Sequence, residues 1–239
     1  MAGIPLQLAP LYRARAHHVA FLDVPELTYA SVQGTGAPEG ADFADAVQAL
    51  FAVSYGAHFL LRKRAGAAPG LLPLEAQWWV EAPDQLELVG RVAAGKASPA
   101  QLRRVDWHWQ AMIALPPPIT PRLAAQAAAQ ARQRELPGLR RLRWVTWTEG
   151  WCGQVLHVGP YEEEWPAIEE LHRAIAAAGH RPRGRHHEIY LGDPRRIAPD
   201  RLRTILRQPV EPAPADGFDR DPPGGQSGSG TGPALRAGT

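Results

Sequence analysis

Along the chain, stretches in which apolar and polar residues alternate in pairs give way to stretches whose apolar residues recur every three or four positions. Residues 19 to 34, VAFLDVPELTYASVQG, are rich in β-branched and aromatic side chains, contain Pro25 and run into Gly-Thr-Gly. This predicts an edge strand entering a turn, because proline cannot donate to a ladder. Residues 40 to 63 carry Phe43, Val47, Leu50, Ser54, Ala57 and Leu61 at helical spacing, flanked by Phe51 and Tyr55, and lead through Arg62, Lys63 and Arg64 to Gly66. The spacing predicts an amphipathic helix with a basic last turn and a glycine cap.

Two strand candidates follow, LPLEAQWWV (72 to 80) and VDWHWQAMIAL (105 to 115), joined by some two dozen polar residues; their aromatic content favours β structure. Thr120 and Pro121 form an N-cap and first-turn pair ahead of an alanine-rich helix over 121 to 135. Its few large apolar side chains place it on the outside. The second half opens with strands at 142 to 149 and 152 to 159, read as a hairpin turning at Gly150. Pro166 then starts a helix in which Ile168, Leu171, Ile175 and Ala178 share a face and Gly179 caps the end; strands at 186 to 191 and 203 to 210 complete the pattern.

The order strand, helix, strand, strand thus occurs twice. It predicts an α+β fold of tandem duplicated modules paired into one domain over residues 1–210, with a central ligand cleft where the modules meet. From Glu211 to Thr239 proline, glycine, serine and charge dominate, and this tail is expected to be disordered.

Composition narrows the function. A 45% hydrophobic content over 239 residues supplies a core, and a net charge of +2 gives no field that would draw the chain to nucleic acid or a membrane. The expectation is a cytoplasmic protein of small-molecule partners. The single cysteine, Cys152, has no partner for an internal disulfide and no base beside it. HExxH, CxxC, GxSxG and phosphate-loop patterns are absent from the sequence, which argues against a metal, a serine nucleophile or a nucleotide; no cofactor is expected.

The unusual stretch is RHHEIYLGDPRR, residues 185 to 196. In a strand His186, Glu188 and Tyr190 share one face, while His187, Ile189 and Leu191 share the other. The apolar pair marks the helix-covered face, which leaves Glu188 either solvated or facing a cleft. The eight tryptophans fall between Trp78 and Trp165, and several stand beside polar residues on strands. Aromatic walls around one carboxylate suit flat, apolar, often cationic molecules through stacking and cation–π contact.

EGWCGQVLHVGPYEEEWPAIEELH (149 to 172) and GRHHEIYLGDPRRIAPDRLRTILRQPV (184 to 210), with LDVPELTYASVQGTG, ALFAVSYGAHFLLRK, PLEAQWWV and DWHWQAMIALP upstream, resemble the GyrI-like small-molecule-binding proteins, in particular their stand-alone bacterial branch. The resemblance covers roughly residues 10 to 210. It implies tandem SHS2-type modules around a ligand cleft, a glutamate matching Glu188 that binds lipophilic cations, and, in the stand-alone branch, hydrolysis of cyclopropane-bearing toxins. On that basis a planar compound stacks among Trp79, Trp109 and Trp147 beside His186, Glu188 holds it or activates a water, and Tyr55 or Tyr190 hydrogen-bonds a carbonyl that gains charge. A module that binds without catalysis, sequestering ligand or sensing it for a separate regulator, is the alternative.

Overall fold

The computed structural model describes residues 3–214. Of the tail expected to be disordered, residues 215–239 lie outside the described residues, and Glu211 and Pro212 prolong the last strand. Among the described residues there are seven strands: β1 (Ala20–Thr35), β2 (Leu74–Trp79), β3 (His108–Ala114), β4 (Arg143–Val158), β5 (His180–Pro182), β6 (His186–Tyr190) and β7 (Arg203–Pro212). They run in the order β4-β1-β3-β2-β6-β7, every pair antiparallel, and β4 pairs again with β7, which closes the sheet into an α+β barrel. β5 pairs with the far end of β7. Four α-helices pack outside: α1 (Ala41–Ala65), α2 (Pro83–Ala93), α3 (Pro121–Ala131) and α4 (Trp165–Ala177).

Three expectations change. β1 is central, flanked by β4 along most of its length and by β3 from Tyr29 onward; Pro25 falls where β4 alone accompanies it. β4 is one strand, with Gly150 at φ 74° inside it. Trp147 and Glu149 turn inward before that point and Cys152 and Leu156 after it, so the glycine shifts the phase of alternation and makes no hairpin. The polar stretch after β2 contains α2, opened by Pro83 and Asp84. α3 packs on the outside of α1 through one buried face, Leu123, Ala124, Ala127, Ala128 and Ala131. Small side chains let it lie close to α1, where a Cβ on Gly56 would stand 3.0 Å from the Ala127 Cβ.

α1 covers the outer face of β1, β2 and β3, packing on Ala30, Val32, Ala76, Trp78, Trp109, Ala111 and Ile113. Gly66 at φ 76° caps it through its N–H to the Arg62 carbonyl. By length and mean hydropathy α1 is the one described helix that passes as a membrane span; its apolar surface faces the barrel on one side and a cavity on the other. α4 covers β4 and β7 through Ile168, Leu171 and Ile175 on Val155, Leu206 and Val210. Inside the barrel a short N-terminal turn, Ala9–Tyr12, joins Met112, Ile189 and Ile205.

Candidate functional site

Because β6 alternates, its two faces meet different surroundings. The sequence reading put Ile189 under the helices; instead His187 and Ile189 point into the barrel, fully buried, and His186, Glu188 and Tyr190 point out to the helix-bearing side. There, between α1 on one side and the packed pair α2 and α4 on the other, lies an open cavity of about 2390 Å³. Ligand pockets of about 300–1,000 Å³ hold drug-sized molecules, so the space admits a large planar one. Phe51, Trp78, Trp107, Tyr161 and Trp165 are among its walls, with Leu86 and Val89 of α2 opposite.

Glu188 lies on the floor with its side chain 15% exposed. Tyr190 donates to its Oε2 at 2.6 Å, and the Trp78 indole N–H donates to the Tyr190 hydroxyl at 3.1 Å. Burial raises the Glu188 carboxyl to about 7, against the opposing pull of the Tyr190 hydrogen bond. His186 Nε2 is 3.7 Å from Glu188 Oε1. This is no ion pair, because burial pushes His186 down to about 3, and neither ring nitrogen has a hydrogen-bond partner.

A second carboxyl escaped the sequence reading. Glu164, at the start of α4, lines the same cavity, is 4% exposed, and its Oε1 has no hydrogen-bond partner. Burial first, and the nearby Glu188 second, hold it well above the ordinary carboxylate range. Tyr161 stands edge-on to Tyr190 at 5.7 Å, and burial moves its phenol up to about 12. The run PYEEEWP was the available signal, since a glutamate between an aromatic pair and a helix-starting proline is poorly placed for solvent. Strand alternation, which found Glu188, does not reach a helix start.

The remaining expected site residues divide. Tyr55 stands at the rim, 61% exposed and stacked on Phe51 at 6.0 Å. Trp79 lies at one end of the cavity with the Arg185 guanidinium 3.4 Å above its ring. Trp109 is fully buried beneath α1, edge-on to Phe43 at 5.1 Å, and does not line the cavity. Trp147 stacks on Tyr29 at 4.3 Å, also away from it. Alternation assigned a face to these two rings but not what covers that face. Trp78, Trp107 and Trp165 line the space instead.

On the other side of β6, His187 is the hub of a buried charge network. Its Nδ1 is 2.8 Å from Glu149 Oε1, and Nε2 is 3.0 Å from Glu75 Oε2, the latter off hydrogen-bond alignment. Glu149 Oε2 accepts from Arg207 Nη1 at 3.3 Å. Arg207 also donates to Gln154 and to the Leu11 carbonyl, and the Tyr12 hydroxyl donates to Glu75 at 2.8 Å. Burial works against the charge on His187, yet the carboxylates win and hold it up at about 9; Glu149, with His187 and Arg207 beside it, is held down to about 2 despite burial.

Comparison places this architecture among solved proteins. An uncharacterized conserved protein from Listeria innocua is 30% identical with a TM-score of 0.73, over 88% of this chain and 100% of its own. The chain belongs to the family of that protein. Two other family-like structures, both described as hydrolases from Listeria innocua, align at 27% and 28% identity with TM-scores of 0.69 and 0.68, covering 88% and 86% of this chain and 100% and 97% of theirs. No family profile and no curated protein matches the sequence. Among the described residues no group of three or more His, Cys, Asp or Glu side chains is set to hold a metal ion.

Proposed function

We propose that this is a GyrI-like protein of two strand-helix-strand-strand modules that binds flat, hydrophobic, often cationic aromatic molecules and hydrolyses cyclopropane-bearing toxins. The duplication reading draws support from the strand order: β1-β3-β2 in one half and β4-β7-β6 in the other, joined β1 to β4 and β2 to β6. The observation that carries the function is Glu188, a buried carboxyl with pKa about 7 on the floor of an aromatic cavity. A base is most useful when its pKa lies near the working pH. Glu188 takes a proton from water, the water oxygen bonds to a ring carbon, and the broken C–C bond sends its electron pair toward a conjugated carbonyl. Tyr55 at the rim, or Tyr190 beside Glu188, hydrogen-bonds that oxygen on this reading. The two Listeria innocua proteins described as hydrolases favour catalysis.

The test is incubation with a cyclopropane-containing alkylator and assay of the ring-opened, hydrated product, for wild type and Glu188→Gln. Turnover in wild type and its loss in the variant is the expected result. Tight binding of a planar cation with no turnover would instead establish the sequestering reading, which the same acidic, aromatic floor serves. Equal binding and turnover in both proteins would remove Glu188 from the site.

A further inference from the structure

Two of the carboxyls that line the cavity lie in different settings. Glu188 on β6 already accepts from Tyr190. Glu164 has an oxygen without a partner, although a buried polar atom left unpaired costs about 1–3 kcal/mol. Its position follows from the register. Thr204 on β7 is the pairing partner of Tyr190, and Glu188 pairs with Leu206 two residues on, so Thr204, Tyr190 and Glu188 share the outer face. Glu164 lies over Thr204 and feels Glu188 directly. The groups facing Glu164 are Glu188 and Tyr190 from β6, Tyr161 and Glu162 from the preceding turn and Thr204 from β7, and among the described residues no cation pairs with it. Glu188 faces Tyr190, Trp78 and His186, with Arg104 farther off. His186 stays neutral there. Two carboxyls that line one apolar-walled cavity and repel each other's charge do not both ionise at neutral pH, and Glu164, more deeply buried and with only the Thr204 hydroxyl to oppose the effect, keeps its proton.

A protonated carboxyl has one O–H to give. Resting on the reading of the cavity as a small-molecule site, we infer that Glu164 is a second ligand-binding residue: as a neutral acid it donates a hydrogen bond to a carbonyl-type oxygen of an uncharged, planar lipophilic ligand. Glu188 then addresses a water or a cationic group at the other end. The cavity accordingly takes two ligand classes, neutral aromatic carbonyl compounds through Glu164 and aromatic cations through Glu188.

Acridone, planar, uncharged and carrying one carbonyl, is the probe; ethidium is the cationic control, both followed by fluorescence. Wild type should bind acridone with an affinity that is level at neutral pH and falls as Glu164 ionises in alkali. Glu164→Gln, whose amide still donates, should hold acridone within about twofold and lose the alkaline fall. Glu164→Met, without a donor, should bind it roughly tenfold more weakly, the worth of one hydrogen bond. Ethidium affinity at neutral pH should change little in either variant. Ethidium binding without acridone binding, Glu164→Met binding acridone as wild type does, or equal weakening in both variants with a level pH profile would each overturn the assignment. If neither probe binds, the small-molecule reading of the cavity fails and takes this one with it.

Discussion

His187 and Glu188 are consecutive on β6 and face opposite sides of the barrel wall, and both hold their protons above their ordinary range for different reasons. His187, between Glu149 and Glu75, keeps its proton up to about pH 9; Glu188, in an apolar cavity, keeps its proton to about 7. Both groups bind protons more tightly folded than unfolded.

These two groups should therefore make stability fall as pH rises, while His186, held down to about 3, works the other way up to the ordinary histidine value. For Glu188 the folded state loses ground between the ordinary carboxylate value and about 7, with Glu164 extending the slope; for His187 it loses ground between the ordinary histidine value and about 9. Each shift corresponds to about 3 kcal/mol at most. Denaturant midpoints from pH 4 to 10 check this, and Glu188→Gln should make the profile rise more steeply below about pH 7 while leaving the alkaline leg. A profile that does not fall between about pH 7 and 9 would contradict the His187 assignment, and a Glu188→Gln profile identical to wild type would contradict that of Glu188.

Replacing His187 by glutamine should cost about 3–5 kcal/mol, because Glu75 and Glu149 then lose the buried cation between them. Chemical denaturation gives the figure. The alkaline leg should vanish with it.

Tyr190→Phe removes the donor to Glu188 Oε2. A hydrogen bond to a charged group is worth about 1.5–3 kcal/mol, so the Glu188 pKa should climb by about one unit or more. Ethidium affinity, which needs the ionised form, should drop several-fold at pH 7 and recover at higher pH; an unchanged pH midpoint would count against the contact.

The tryptophans should separate by role. Trp109→Phe, in the packed layer under α1, should destabilise by about 1–3 kcal/mol and leave ethidium affinity unaltered. Trp107→Ala should do the reverse: weaker binding by roughly tenfold, with a smaller stability loss.

Gly34 admits no side chain. A Cβ there would come within 2.3 Å of the Trp109 ring and 2.4 Å of the Asp42 carboxylate, which is itself held by Arg141. Gly34→Ala should lower stability by about 1–3 kcal/mol, read from its thermal midpoint.

Local pattern carried the elements well where periodicity was strong: α1, α4 with its Gly179 cap, and β6 with its two faces were legible from spacing alone. Long-range pairing was not. Nothing in residues 19 to 34 says that β4 will flank them, so Pro25 reads as an edge; Gly150 reads as a turn because a phase shift inside a strand and a hairpin use the same residue. That α3 docks on α1 was not legible, because alanines look inert until a partner as close as Gly56 is known. In the site, alternation isolated Glu188, His186 and Tyr190, and could not say that barrel closure would send Ile189 inward and these three beneath the helices. Glu164 needed the tertiary fold, since its neighbour Thr204 is forty residues away.

Closure of β4 onto β7 leaves the barrel without a long free edge, and the N-terminal turn with its Arg207 anchor fills the interior. The frame is thus complete without the cavity, whose far walls come from α1, α2 and the start of α4. Substitutions at Leu86, Val89 or Tyr55 can reshape what is accepted while leaving the charged interior and the strand ladder intact. Evolution has here a rigid chassis with an exchangeable mould bolted to one side, and related chains are expected to differ most in the helices and least in the residues that point inward.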